Sequence, residues 1–272
     1  MLPTKIYHFF WHLGLMLEYM TRAKLITWHT SDPVLRRRRQ IKNTRRSALK
    51  FLRAFQIQVS VRGKENLAAL HGQNYLLIAN HVSYTDILVL SSVTELVFIT
   101  SVEMGANFFL GDITRFGGSL FTDRKKPVSL PHEIKRFART IAQGFNVVLF
   151  PEGTSTNGET VREFRSSLFQ VAYEASCPVL PVCVKYHRLD GKPITSDNRD
   201  TVCWYGDMDF LPHFWKLLGH RIQVVVSILK PLPHDPKLRR VELSELVHRQ
   251  LLACYHSFDS PVPETGTNPT KE

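Results

Sequence analysis

The sequence predicts an α/β sandwich with an N-terminal helical extension, and three observations predict it. From about residue 56 onward, short apolar runs alternate with stretches of helical periodicity, the pattern of a sheet covered by helices. The length and composition, 272 residues of which 43% are hydrophobic, are enough for one sizeable core. The charge is segregated: residues 1–53 hold twelve Lys or Arg against Glu18 and Asp32, a net +10, whereas the remaining 219 carry 23 basic and 22 acidic groups.

The extension comes first. Plotted at 100° per residue, Leu2, Ile6, Phe9, Phe10, Leu13, Leu17 and Met20 share one face, with Lys5, His8, His12, Tyr19 and Arg22 opposite. The uncharged run 6–17 is twelve residues, short of the ~20 that span a bilayer. No small-residue cleavage site of a signal peptide follows it. Asp32 and Pro33 then supply a cap and a first-turn proline for a second helix running to about Phe55. Along it Arg36, Arg37, Arg38, Arg39, Lys42, Arg45, Arg46, Lys50 and Arg53 have no acid among them. An aromatic amphipathic helix beside a polybasic one reads as peripheral or monotopic attachment to an anionic bilayer surface. A helix docked on the core of its own domain is the competing reading. A nucleic-acid partner is not expected, because the aromatics fall outside the basic run.

Ile57, Val59 and Val61 alternate with Gln58, Ser60 and Arg62, a half-buried strand that opens the main domain. The boundaries are therefore 1–55 for the extension and 56–258 for the main domain, with 259–272 a Pro, Thr and Gly tail expected to be disordered. Further strands are predicted over 75–79, 96–100, 146–149, 179–184 and 222–229. Helices are predicted after Asp86, around Ile134, Phe137, Ala138 and Ile141 up to Gly144, over 164–175 and over 241–255. The stretch between Thr100 and Gly117 reads as irregular. Cys177, Cys183, Cys203 and Cys254 show no Cys-x-x-Cys spacing, so a reducing, cytoplasmic-face setting fits and neither a disulfide framework nor a zinc site is suggested. His132-Glu133 lacks the second His of a zinc helix, and no metal is expected.

Chemistry concentrates where the run 75–79 ends. Asn80 closes it, His81 follows, and Asp86 lies five residues on. On one regular helix that interval would set the side chains roughly 140° apart. They meet if His81 sits in the turn before a helix opening near Ser83 or Thr85, from which Asp86 reaches back. A carboxylate so placed fixes the imidazole tautomer and leaves the other nitrogen to accept a proton. The alternative is a pair that merely caps a helix. A second stretch, FPEGTSTNG over 150–158, follows the strand 146–149 and lies at the same carboxyl side of the sheet, where open α/β folds place their sites.

Together these blocks resemble the glycerolipid acyltransferases typified by 1-acylglycerol-3-phosphate acyltransferase. Asn80, His81 and Asp86 match the family's NHx4D motif, and Phe150, Pro151, Glu152, Gly153 and Thr154 match its FPEGT motif. Gly117, Gly118, Phe121, Asp123 and Arg124 resemble the middle block, and PVLPV over 178–182 the fourth. The resemblance implies a membrane-associated enzyme that moves a fatty acyl group from acyl-CoA or acyl-carrier protein to the free hydroxyl of a lysophospholipid such as 1-acylglycerol-3-phosphate. His81 would be the general base and Asp86 its orienting partner, with no cofactor beyond the donor. Arg124, Glu152, Gly153, Thr154 and Ser155 would serve the acceptor, Asn80, Phe150 and Pro151 would support the motifs, and Pro181 would be structural, at a strand edge. Ser83, the rival nucleophile, reads as a helix cap, and 117–119 lacks the Gly-x-Ser-x-Gly elbow of hydrolases.

The chain departs from the family pattern in two places. Many members that acylate lysophosphatidate carry Arg after the EGT, where this chain has Ser155, Thr156 and Asn157. The Lys often found ahead of the middle block is also missing, with Arg115 or Lys125 as substitutes. The absence of Arg after the EGT looks closer to branches that use lysophosphatidylcholine-type or ornithine lipids. A non-catalytic lipid-binding relative remains the other alternative, and such a protein would be expected to lack His81, Asp86 or Glu152.

Overall fold

The computed structural model describes residues 2–106, 110–123 and 125–258; Arg124 and the segment 259–272 lie outside the described residues. Helices α1 (Leu2–His29) and α2 (Pro33–Ala54) precede β1 (Ile57–Arg62), α3 (Lys64–Ala68) and β2 (Leu76–Ala79). Then come α4 (Thr85–Val93), β3 (Val97–Ser101), α5 (Val102–Ala106), α6 (Leu110–Phe116), β4 (Leu120–Thr122), α7 (Leu130–Ala142) and β5 (Val147–Leu149). The chain continues through α8 (Gln170–Glu174), β6 (Val179–Leu189), β7 (Lys192–Pro193), α9 (Phe210–Leu217), β8 (Ile222–Ile228) and α10 (Arg240–His256).

The strands form one sheet in the order β1-β8-β6-β2-β5-β3-β4, with β7 paired to β6. Only β6 and β8 run antiparallel along that order. Side chains of β2 alternate between the faces, as a period of two requires. Leu76 and Ile78 pack with Phe137, Ile141, Val247 and Leu251 from α7 and α10. Leu77 and Ala79 pack with Phe51, Val89 and Leu90 from α2 and α4. Burial on both faces is why this strand reads as an unbroken apolar run. Leu76 and Ile78 are 0% exposed, each stabilising the fold by about 1.5–3 kcal/mol, so the loop that leaves β2 starts from a fixed base.

Asp32 caps α2 by accepting the Leu35 N–H on Oδ1 at 2.6 Å, and Pro33 occupies the first turn. The helix buries Ile41, Ala48, Phe51 and Leu52 and leaves Arg38, Arg39, Lys42, Arg45 and Arg46 exposed. Helix α1 lies against α2, tied by Lys50 Nζ to Glu18 Oε2 at 2.5 Å and by Asn43 Nδ2 donating to the Tyr19 carbonyl at 3.3 Å. The face that α1 buries is the one carrying His8, His12, Tyr19 and Ala23. Its apolar face points away: Leu2, Phe10 and Leu17 are 63%, 62% and 61% exposed. His12 packs with its ring 4.0 Å from that of Phe55, and burial pushes its pKa down to about 4, so it stays neutral inside the fold. Lys5 fastens the start of α1 to the end of α9 by donating to the carbonyls of Trp215 and Lys216.

Four local expectations change. Residues 102–106 and 110–116, expected to be irregular, form α5 and α6. The helix expected over 164–175 is a 3-10 turn, Ser166–Phe169, followed by α8. Helices α3 and α9 and strands β4 and β7 had no counterpart in the predicted elements. Pro181 lies in an interior strand, between β2 and β8, and not at an edge. A proline is tolerated there because ladder pairing with β8 stops at Val182 and Ile228. The missing N–H thus falls beyond the last rung, while the Pro181 carbonyl accepts the Leu229 N–H at 2.9 Å.

Candidate active site

Parallel pairing of β2 with β5 sets Leu76 beside Val147, Leu77 beside Val148 and Ile78 beside Leu149. Both chains leave the sheet at the same end, so Asn80 and His81 emerge next to Pro151 and Glu152. On the other side of β2, the Asn80 side chain substitutes for a strand rung: Nδ2 donates to the Val184 carbonyl at 2.9 Å and Oδ1 accepts the Val184 N–H at 2.8 Å. The sheet is thereby satisfied one residue past β2, and His81 is released to turn away.

Asp86 sits in the first turn of α4, and Ser83 and Thr85 precede or open that helix. Its carboxylate is fully buried. Oδ2 stands 2.8 Å from His81 Nδ1 and accepts the backbone N–H groups of Val82 at 2.8 Å and Ser83 at 3.0 Å. Oδ1 accepts the Tyr186 hydroxyl at 2.8 Å. These donors hold the carboxylate in one orientation. Nδ1 therefore carries the proton, and Nε2 has no protein partner among the described residues. The imidazole ring lies stacked at 4.2 Å on Phe150. An imidazole fixed by a carboxylate on one nitrogen, with the other open, can take a proton from a bound hydroxyl.

The backbone of His81 is held by the second motif. Glu152 Oε1 accepts the His81 N–H at 2.7 Å and Oε2 accepts the Arg162 N–H at 2.9 Å. The His81 carbonyl accepts the Thr156 N–H at 2.9 Å. Burial raises the Glu152 pKa to about 7 against the lowering effect of these two donors. Glu152 thus braces the His81 loop, and its carboxylate does not line the adjoining cavity. Gly153, Thr154, Ser155 and Pro151 do line it.

That cavity, about 590 Å³, is walled largely by apolar side chains, among them Phe51, Phe55, Ile87, Phe98 and Leu149. His81 opens onto it, as do Gly117 and Asp123 of the middle block. Ser83 is buried and away from it, its Oγ accepting the Thr85 hydroxyl at 3.0 Å. Arg115 and Lys125 do not reach the cavity; they pair with Asp112 at 3.6 Å and Glu103 at 3.5 Å. Tyr186 is the site residue that sequence reasoning missed. The alternation of β6 puts it with Val182 and Val184 on the face that α4 covers, and a lone hydroxyl on that apolar face was the available signal.

Comparison with known proteins follows the same lines. Residues 58–185 match the family model described as Acyltransferase. A lyso-ornithine lipid O-acyltransferase of Pseudomonas aeruginosa is 38% identical over 173 residues, which is 63% of this chain and 64% of that one. One of Rhizobium meliloti is 33% identical over 184 residues, 65% of this chain and 63% of that one. The match thus spans just under two thirds of either relative. A 1-acyl-sn-glycerol-3-phosphate acyltransferase of Neisseria gonorrhoeae is 28% identical, over 55% of this chain and 56% of its own. The crystal structure of the LPA acyltransferase PlsC from Thermotoga maritima superposes with a TM-score of 0.69 at 17% identity, covering 97% of this chain and 98% of that chain. The two share a fold.

Proposed function

We propose, from the match of residues 58–185 to the Acyltransferase family model and from the lyso-lipid and glycerophosphate acyltransferases it resembles, that the protein is an O-acyltransferase that moves a fatty acyl group from an acyl thioester to the free hydroxyl of a lyso-lipid. The observation that carries the proposal is the His81 and Asp86 pair, 2.8 Å apart, at the polar end of an apolar cavity. The acceptor hydroxyl gives its proton to His81 Nε2 as its oxygen attacks the thioester carbonyl. Asp86 stabilises the imidazolium that results, and the thiolate departs with a proton returned from His81. No acyl-enzyme is needed, because the acceptor oxygen is itself the nucleophile. The donor is acyl-CoA or acyl-carrier protein.

Two acceptors compete. A 1-acylglycerol-3-phosphate is the family type, whereas a lyso-ornithine lipid is supported by Ser155, Thr156 and Asn157 in place of an Arg and by the names of the relatives above. The enzyme works from the membrane interface. The exposed apolar face of α1 beside the exposed arginines of α2 supports this, and no described helix is long and apolar enough to cross a membrane. Leu211 and Trp215 of α9, also exposed, continue the patch, with Trp215 6.0 Å from Phe9.

The test is incubation of purified protein with a panel of lyso-lipids and both donors, with products read by mass spectrometry. Acylated lyso-lipid is the expected result. Binding of lyso-lipid without transfer from either donor would instead establish a non-catalytic lipid-binding protein.

A further inference from the structure

The cavity beside His81 has a largely apolar wall. Among the described residues lining it, Arg165 alone is positively charged. Arg165 follows the FPEGT motif by eleven residues, in the segment before the 3-10 turn, yet its guanidinium returns to lie on Gly153. A Cβ built at Gly153 would stand 3.1 Å from Arg165 Nε, 3.2 Å from Cζ and 3.4 Å from Nη1. Gly153 is held at φ +79°, so a side chain there would be strained and would displace the arginine. The glycine of the motif is therefore what lets the guanidinium cross the loop.

Among the described residues that guanidinium lies on Gly153 and has no hydrogen-bond acceptor. Arg165 is anchored by its backbone, whose N–H donates to the Pro151 carbonyl at 2.9 Å. Its side chain is exposed, and no described carboxylate pairs with it. On the same loop the amides of Thr154 and Ser155 have no protein acceptor among the described residues. A planar fork and two unsatisfied amides, on the wall of a cavity that opens at a candidate base, make a setting for an anion.

We propose that Arg165 receives the anionic head group of the acceptor lyso-lipid, a phosphate or a carboxylate, in place of the arginine absent after Thr154. This rests on the lyso-lipid transfer reading above. Arg165 lies over Gly153, whose neighbour Glu152 holds the backbone of His81. A head group caught at the guanidinium thus brings the hydroxyl a few bonds away towards the imidazole. Substrate choice would then be set by an arginine supplied from a later segment of the chain.

The experiment compares wild type, Arg165→Gln and Arg165→Lys with three short-chain acceptors: lysophosphatidate, a lyso-ornithine lipid and a monoacylglycerol. Binding is read by calorimetry, and transfer as kcat and apparent KM. Arg165→Gln is expected to weaken binding and raise KM for an anionic acceptor roughly ten- to hundredfold, the worth of a hydrogen bond to a charged group. The loss should be far smaller for the monoacylglycerol, and Arg165→Lys should recover part of it. Whichever anionic acceptor suffers the larger loss identifies the group, phosphate or carboxylate. Equal losses on all three acceptors, or none, would overturn the proposal. Wild-type protein that binds all three without transferring an acyl group would refute the activity, while a binding loss in Arg165→Gln confined to anionic lipids would still sustain the subsite.

Discussion

Replacing Asp86 by Asn separates geometry from charge at this site, because the structure dictates how the amide must sit. Oδ2 meets three donors, from His81, Val82 and Ser83, and Oδ1 meets one, from Tyr186. The amide nitrogen therefore takes the Oδ1 place, where Tyr186 can turn its hydroxyl towards Thr85 Oγ1, 2.8 Å away, and accept. The remaining oxygen keeps all three donors, and His81 keeps its tautomer. Each of those bonds falls from charge-assisted to neutral at about 1 kcal/mol, roughly 3 kcal/mol of stability in all. The imidazolium loses a counter-charge worth about 4 kcal/mol at ~4 Å and an effective dielectric constant of ~20. The retained neutral bond restores a little of this, so kcat is expected to fall by a factor of roughly 10²–10³ with KM little changed. Steady-state transfer and urea unfolding measure the two quantities. A folded Asp86→Asn protein with near-normal kcat would refute the assignment of charge stabilisation to Asp86.

His81→Ala should lower kcat by at least ~10²–10⁴ without unfolding the protein, and trapping an acyl-enzyme would discard direct transfer. Glu152 makes a pH-dependent contribution: its folded pKa, about 7, is raised from 4.5, so its stabilisation is full below pH 4.5 and is lost as pH rises through 7. Unfolding free energies of Glu152→Gln and wild type should therefore diverge by up to about 3 kcal/mol in favour of the variant between those limits; a constant difference would show that the carboxylate is ionised throughout. Exchanging Phe10, Leu13 and Leu17 together for Ser removes exposed side chains and should leave stability within about 1 kcal/mol while reducing flotation with anionic liposomes. Unchanged flotation would place the membrane contact elsewhere. For wild type, high salt should weaken flotation without abolishing it, since salt screens charge and leaves apolar insertion intact.

Legibility in the sequence followed the range of the interactions. The β2 run, the turn at His81 and the return of Asp86 are local, and hydrophobic period plus helix geometry sufficed to place them. The outward face of α1 was equally plain from spacing, although spacing could not tell that the opposite face, with His8 and His12, would be the one to dock. Glu152 was recognisable as a site residue by motif alone. A motif names a residue without giving the direction of its side chain, and the carboxylate proved to hold backbone in place. Tyr186 meets Asp86 across 100 positions of sequence, a contact that only strand order creates. Helices α5 and α6 were missed because five and seven residues are too few to establish a helical period.

The grip on His81 from both sides of its peptide has a consequence for the order in which the molecule becomes competent. Glu152 takes the N–H and Thr156 the carbonyl, so the geometry of His81 is completed by a segment made some 71 to 75 residues later. During synthesis the nascent chain can form β2 and the Asp86 bond while His81 still lacks its frame; that frame is complete only when β5 has joined the sheet and delivered the loop behind it. In the finished protein the same dependence runs in reverse. A local opening confined to 150–158 would release the His81 peptide while leaving most of the core intact, so the lifetime of that one loop bounds the lifetime of the His81 and Asp86 geometry.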